Sequence, residues 1–301
     1  MRADIVGGEG VGHERRRRRR IGPWLYGLLR LLHPFPTAMN VVATLLFAAL
    51  AWRGWPGWDA AARLAAGMFA AQGAIGVAND YADRDLDRVA KPRKPLVAGW
   101  VSPRAALVAL AALVVAALGT AASFGPASLG LMGAALVVGL LYDFRLKRTA
   151  LSWLPYLVAI PLEPLWVWTA LGRFTPRLLW LYPLGAAPLL ALHLANALAD
   201  DAGDAARGVG GVVQRLGRRR ATALLWVAAL LPAALALPLG LAVPYRWRWF
   251  WPGLALSLAT TLAGWLVVRR RPGREDAYRT VFGLLIVGTI ALGAGWLAAA
   301  V

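Results

Sequence analysis

The chain of 301 residues is 59% hydrophobic and only 16% charged, with a mean hydropathy of +0.56. Soluble domains run nearer a quarter charged, so this balance excludes a disordered or collagen-like chain and argues against a water-soluble Rossmann or TIM-barrel enzyme. The absence of Cys removes a disulfide framework, a thiolate metal site and a cysteine nucleophile. The net charge of +18 would suggest nucleic acid in a soluble chain, but here it reads as membrane topology, with no nucleic-acid partner expected.

Residues 1–21, with their run Arg15 to Arg20, are expected to be a disordered, Arg-rich cytoplasmic tail suited to anionic membrane lipid. No signal-peptide cleavage site is visible after it. Residues 22–301 are expected to form a single transmembrane domain. Nine apolar runs follow at 34–52, 60–79, 103–122, 125–142, 150–171, 177–198, 221–243, 249–268 and 280–300. Each approaches the roughly 20 residues that cross a hydrocarbon core. With a cytoplasmic N-terminus, only Arg53, Arg63, Arg173, Arg177, Arg246 and Arg248 fall outside, leaving 27 of the 33 basic residues inside. That bias predicts an all-α integral membrane protein, N-terminus cytoplasmic and C-terminus outside, in a cell (inner or plasma) membrane. Trp52, Trp55, Trp58, Trp180, Trp247, Trp249 and Trp251 cluster near the ends of runs, as interfacial rings do.

Seven of the 15 acidic residues fall in two short clusters at the cytoplasmic ends of the second and sixth runs. Asn79, Asp83 and Asp87 are spaced i, i+4, i+8, and so are Asn196, Asp200 and Asp204. On a helix that spacing drifts by only about 40° per step, so each trio shares a face. Carboxylates so close repel one another, which makes sense with a cation between them. Oxygen-only ligands favour Mg²⁺ and disfavour zinc. Basic residues complete the pattern: Lys91-Pro92-Arg93-Lys94-Pro95-Leu96-Val97-Ala98-Gly99 after the first cluster, Tyr142-Asp143-Phe144-Arg145-Leu146-Lys147-Arg148 after the fourth run, and Arg207 after the second cluster. Carboxylates and cations on one side of an apolar bundle match the needs of a diphosphate on a hydrophobic tail, whose departure Mg²⁺ and Arg or Lys assist.

Together these motifs resemble the UbiA superfamily of intramembrane prenyltransferases. Asn79, Asp80, Asp83 and Asp87 match its N-D-x-x-D-x-x-x-D pattern, and Lys94-Pro95-Leu96-Val97-Ala98-Gly99 resembles its R-P-L-x-x-G. Tyr142 with Lys147 and Arg148 resembles its Tyr…Lys-Arg loop. Asp200, Gly203, Asp204, Arg207 and Arg215-Leu216-Gly217 resemble its second Asp region. The resemblance runs from about residue 30 to the C-terminus. It implies nine transmembrane helices around a central cavity opening to the cytoplasm, two Mg²⁺ ions, a polyprenyl diphosphate donor and a lipophilic or aromatic acceptor that traps an allylic carbocation. By the same resemblance Asn79, Asp83, Asp87, Asp200 and Asp204 would hold metal and diphosphate, the four Asp being catalytic. Asp80, Lys94, Tyr142, Lys147 and Arg207 would be further substrate contacts, with Asn196 a neutral ligand or orienter. One departure is Lys94, where the family carries Arg: a two-pronged grip on phosphate becomes a point charge.

Polar residues within the runs are candidates for the acceptor. His193 lies on the face of Asn196 and Asp200 and either orients or deprotonates an acceptor, or is simply a hydrogen-bonded core residue. Asn40 is expected to line the cavity. Glu163, between Pro161 and Pro164, is an acceptor contact or a structural acid. Lipoquinone-type prenyl transfer is the leading expectation. A tetrapyrrole, glycerol-phosphate lipid or carotenoid acceptor, phosphoribosyl transfer to polyprenyl phosphate, and an anion transporter are the alternatives.

Overall fold

The architecture is that of a computed structural model, which describes residues 22–149, 151–201, 211–242 and 246–300. The expected tail, Asp204 and Arg207 lie outside the described residues. Among the described residues there is no strand, and nine helices of 16 to 33 residues fall on the nine apolar runs. They are α1 (Pro34–Trp52), α2 (Trp58–Ala90), α3 (Pro103–Ala122), α4 (Pro126–Leu141), α5 (Leu154–Ala170), α6 (Leu181–Ala199), α7 (Arg218–Ala242), α8 (Trp247–Arg270) and α9 (Glu275–Ala300).

Seven segments are long and apolar enough to cross a membrane: Pro34–Trp52, Trp58–Arg88, Pro103–Ala122, Pro126–Leu146, Pro176–Ala199, Arg248–Arg270 and Glu275–Ala299. Helix α5, with 17 residues and internal Pro161 and Pro164, falls short. Among the described residues, length and composition thus qualify seven of the nine runs. Large apolar side chains such as Val108, Val115, Leu46 and Ile290 stand exposed on the outside of the bundle. Water would oppose such a surface, whereas hydrocarbon accommodates it.

Proline and serine set several helix starts. Pro34, Pro103 and Pro126 occupy first-turn positions, where the missing N–H costs nothing. Ser102 caps α3 by accepting from the Ala105 amide at 3.2 Å. Helix α2 runs well beyond its apolar stretch, so the Asn79–Asp87 cluster is carried on a helix rather than on a loop. A further short helix over 22–31, not expected from the sequence, packs on the loop after α2. Leu31, Val77, Val101 and Ala106 form a small apolar cluster there, and the Tyr26 and Trp100 rings lie 5.5 Å apart.

Helices α1 to α5 pack in succession, with α5 also against α1, and α6 joins α5 to a group formed with α7 and α9. The main core centres on Trp166, Trp168, Phe250 and Trp296, and a second core joins α6, α7 and α9. The buried Trp166 indole N–H is satisfied by Ser128 Oγ at 2.9 Å. Helices α8 and α9 approach most closely because small residues face each other: a Cβ on Gly253 would fall on the Ala291 carbonyl oxygen, and one on Gly288 on the Thr260 hydroxyl. Gly253→Ala is therefore expected to force these backbones apart and cost about 1–3 kcal/mol. Gly283→Ala on α9, where a Cβ meets open space, should be neutral. Thermal unfolding of the two purified variants in detergent separates these outcomes.

Candidate active site

The polar end of the bundle is built around α2. From its last three turns Asp80 and Asp87, both almost fully buried, point to one cation: Lys94 Nζ lies 2.7 Å from Asp80 Oδ1 and 2.6 Å from Asp87 Oδ2. Seven residues bring a helix back to within about 20° of its starting direction. Asp87 is thus aligned more closely with Asp80 than with Asn79, eight residues before it. The loop carrying Lys94 is compact, with Ala98 N donating to Lys94 O at 2.8 Å, and Val101 anchors it in the small apolar cluster. Burial alone would favour the neutral amine. Hydrogen bonds and charge from Asp80 and Asp87 outweigh that and hold the Lys94 ammonium above the usual lysine range.

His33 also reaches Asp80, with Nε2 3.0 Å from Oδ1. It sits in a left-handed backbone conformation just ahead of Pro34. Gly76, one turn before Asp80, makes the approach possible, since a Cβ there would crowd the Leu31 carbonyl oxygen at 3.0 Å and the His33 ring at 3.2 Å.

On the neighbouring face of α2, Asn79 and Asp83 meet the end of α4. There Tyr142–Leu146 forms a π-helical turn, closed by Lys147 N donating to Tyr142 O at 3.0 Å. Wide turns of this kind recur at functional sites. Lys147 Nζ stands 2.7 Å from Asp83 Oδ2 and 3.7 Å from Asp143 Oδ1, and Arg148 Nη2 lies 2.9 Å from Asp83 Oδ1. Asn79 Nδ2 donates to Asp143 Oδ1 at 2.9 Å. Two lysines thus bridge two pairs of carboxylates, Lys94 between Asp80 and Asp87 and Lys147 between Asp83 and Asp143.

Beneath this cluster runs a buried aromatic and polar chain. The Tyr142 and Tyr156 rings meet edge-on at 5.9 Å, Tyr156 and His193 at 5.1 Å, and His193 Nε2 lies 3.1 Å from Ser152 Oγ. Buried His193 Nδ1 meets no protein partner. His193 is therefore hydrogen-bonded to a side chain, and it links the α4 turn to α6, which bears the second acidic cluster. At the end of α6, Asn196 is partly buried and Asp200 is 54% exposed, with Arg279 Nη2 3.8 Å from Asp200 Oδ1. Asp201 receives Gln214 Nε2 at 3.2 Å and Arg218 Nη1 at 3.4 Å.

Among the described residues, no three His, Asp or Glu side chains stand close enough to hold one metal ion. The expected set Asn79, Asp83, Asp87 and Asp200 is placed at one end of the bundle's helices but not gathered about a single point. Within the first cluster, Lys94 stands between Asp80 and Asp87 and Lys147 between Asp83 and Asp143.

Asn40 is partly buried on α1, one turn before Thr44, whose hydroxyl donates to Glu163 Oε1 at 2.9 Å. Thr44 follows His33 by 11 residues and Glu163 follows Ser152 by 11, so this pair lies about 16 Å below the acidic end. A hollow of about 280 Å³ opens at the far end of the bundle, lined by Leu50, Arg53, Trp168, Arg246, Trp249 and Leu297. Sequence reasoning missed His33, Asp143, Ser152 and Tyr156. Only Asp143 had a usable signal, as a lone acid inside the basic stretch after the fourth run.

Among the described residues the chain is an all-helical bundle with a lipid-compatible surface and a lysine-bridged carboxylate cluster at one end, the architecture of an integral membrane protein with a charged site at one end. The chain belongs to the UbiA prenyltransferase family, whose model matches residues 40–286, and it is a membrane protein that transfers prenyl groups. It is 28% identical to a 4-hydroxybenzoate octaprenyltransferase of Polaromonas sp. strain JS666, covering 87% of this chain and 91% of that one. It is 27% identical to a digeranylgeranylglyceryl phosphate synthase of Methanopyrus kandleri, covering 71% and 79%. The fold matches the structure of a UbiA homolog from Archaeoglobus fulgidus bound to GPP and Mg²⁺, with a TM-score of 0.68 at 20% identity over 88% of this chain and 99% of that one.

Replacing Lys94 by Met should leave Asp87 buried without a cation and Asp80 with His33 alone, a loss of about 3–5 kcal/mol. Lys94→Arg should retain most of the stability. Because folding raises the lysine's pKa, its contribution is complete below the ordinary value of 10.5 and disappears as pH climbs through the raised one. Unfolding midpoints followed into alkaline pH should fall more steeply for the wild type than for Lys94→Met.

Proposed function

We propose that this protein is an Mg²⁺-dependent enzyme that moves an isoprenyl group from a polyprenyl diphosphate to a small aromatic acceptor, in lipoquinone-type biosynthesis. The reaction takes place at the cytoplasmic face of a cell membrane. Residues 22–301 act as one domain crossing it nine times about a central cavity, with the N-terminus inside and the C-terminus outside. The inside placement of 27 of 33 basic residues supports that orientation.

The observation that carries this reading is the pair of lysine bridges. Lys94 and Lys147 each lie between two carboxylates at the end of an apolar bundle. A diphosphate brings negative charge and needs both kinds of group: carboxylates for its metal and ammoniums for its own oxygens. Asn79, Asp83, Asp87, Asp200 and Asp204 offer only hard oxygen donors, a set that fits Mg²⁺. Two such ions suit two clusters. When bound, Mg²⁺ supplies Lewis-acid stabilisation of the departing diphosphate. The solved neighbour's GPP and Mg²⁺ support this assignment.

With Asn79, Asp83, Asp87 and Asp200 holding Mg²⁺, Lys94, Lys147 and Arg148 would face phosphate oxygens, and Asp80 and Arg207 are further candidate substrate contacts. The allylic C–O bond breaks and its electron pair leaves on diphosphate, where these cations stabilise the growing negative charge. The rings of Tyr142 and Tyr156 flank the positive carbon. A nucleophilic carbon of the acceptor then bonds to the prenyl carbon and loses a proton. His193, with an open buried Nδ1, orients the acceptor or receives that proton. Asn196 orients the second cluster. Asn40 and the Thr44–Glu163 pair, well below the acidic end, meet the tail or the acceptor's apolar side rather than the diphosphate.

The name of the Polaromonas relative favours a hydroxybenzoate-like acceptor. The name of the Methanopyrus relative favours a second reading, in which a glycerol-phosphate lipid accepts the group. Purified protein offered labelled prenyl diphosphates against a panel of aromatic and glycerol-phosphate acceptors should form an EDTA-sensitive prenylated product with one class. No turnover by folded protein would overturn the reading. Asp83→Ala and Asp200→Ala should each lower turnover at least about a hundredfold, with membrane insertion and yield unchanged.

A further inference from the structure

We propose that Asp143 is a positioning residue that fixes the amide of Asn79 for cation binding, an inference that rests on the Mg²⁺–diphosphate reading above. Asp143 is 3% exposed and belongs to the π-helical turn at the end of α4. Its Oδ1 accepts from Asn79 Nδ2 at 2.9 Å and faces Lys147 Nζ at 3.7 Å, while its Oδ2 is buried and meets no protein donor. Asn79 thus turns its amide nitrogen towards the Asp143 carboxyl, which leaves the amide oxygen facing away and available as a ligand.

An asparagine on its own has no such preference, because its two ends are nearly the same size and swap by rotation about one bond. Held the wrong way, Asn79 would present N–H donors to a cation. Asp143 removes that alternative from a distance of one hydrogen bond, as outer-shell partners commonly do for metal ligands. The same side chain helps keep Lys147 over Asp83, so a single buried acid sets the orientation of one neutral ligand and the resting place of one phosphate-facing ammonium. The wide turn gives it this position: its i to i+5 bond carries Asp143 and Lys147 together against α2.

The test uses full-length protein and reads Mg²⁺-dependent thermal stabilisation in the presence of an unreactive geranyl thiolodiphosphate, alongside prenyl transfer. Asp143→Asn, nearly identical in shape, should shift the Mg²⁺ midpoint upward about tenfold or more while preserving the metal-free unfolding temperature. The exchanged pair Asn79→Asp with Asp143→Asn restores one donor and one acceptor with the oxygens now on α2, and should recover most of the loss. A midpoint for Asp143→Asn equal to that of the wild type overturns the inference. So does an equal loss in the Asn79→Asp background, since Asp143 would then act without Asn79. A wild type that shows no Mg²⁺-dependent shift at all would fail the underlying reading, and this inference with it, which separates the two failures.

Discussion

Carboxylates are most expensive where water is scarcest, and this chain buries Asp80, Asp87 and Asp143 at the end of an apolar bundle. Their charge is answered at once by Lys94 and Lys147, each shared between two acids. Much of the architecture at this end can be understood as holding those ammoniums in place. The loop after α2 is pinned by Val101 and Leu96 against Leu31 and Val77, and the helix over 22–31 covers it. The α4 helix widens into a π turn where it must deliver both Asp143 and Lys147.

The arrangement is also what a diphosphate-handling enzyme requires. A site of carboxylates alone would repel its substrate, and one of lysines alone would hold the product. Pairing them gives a resting state near electrical balance, with each lysine shared between two acids. The apolar remainder of the bundle, with Trp166, Trp168 and Trp296 packed at its centre, leaves the hydrocarbon tail in surroundings as apolar as itself.

The helical runs were legible because hydrocarbon demands length and apolarity, and α1 and α3 begin and end where their runs do. The helix over 22–31 was not, since it is short and owes its place to the loop it covers. The acidic clusters were legible from spacing, but the grouping within them was not. Periodicity placed Asn79, Asp83 and Asp87 on one face, whereas Asp87 joins Asp80 through Lys94 and Asn79 joins Asp83 beside the α4 turn. A shared face states which way residues point along one helix, and nothing of which partner waits there.

By itself the sequence determined the class of solvent, the number of apolar runs, the face that bears the charge and the family to which the chain belongs, because each follows from local composition or from a motif of fixed spacing. Tertiary structure decided the pairings. His33 meets Asp80 across 47 positions, Asn79 meets Asp143 across 64, and Ser152 meets His193 across 41. Contacts at such separations arise only when helices cross, and the crossing is set by small residues such as Gly76 and by the packing of faces that no single run can specify.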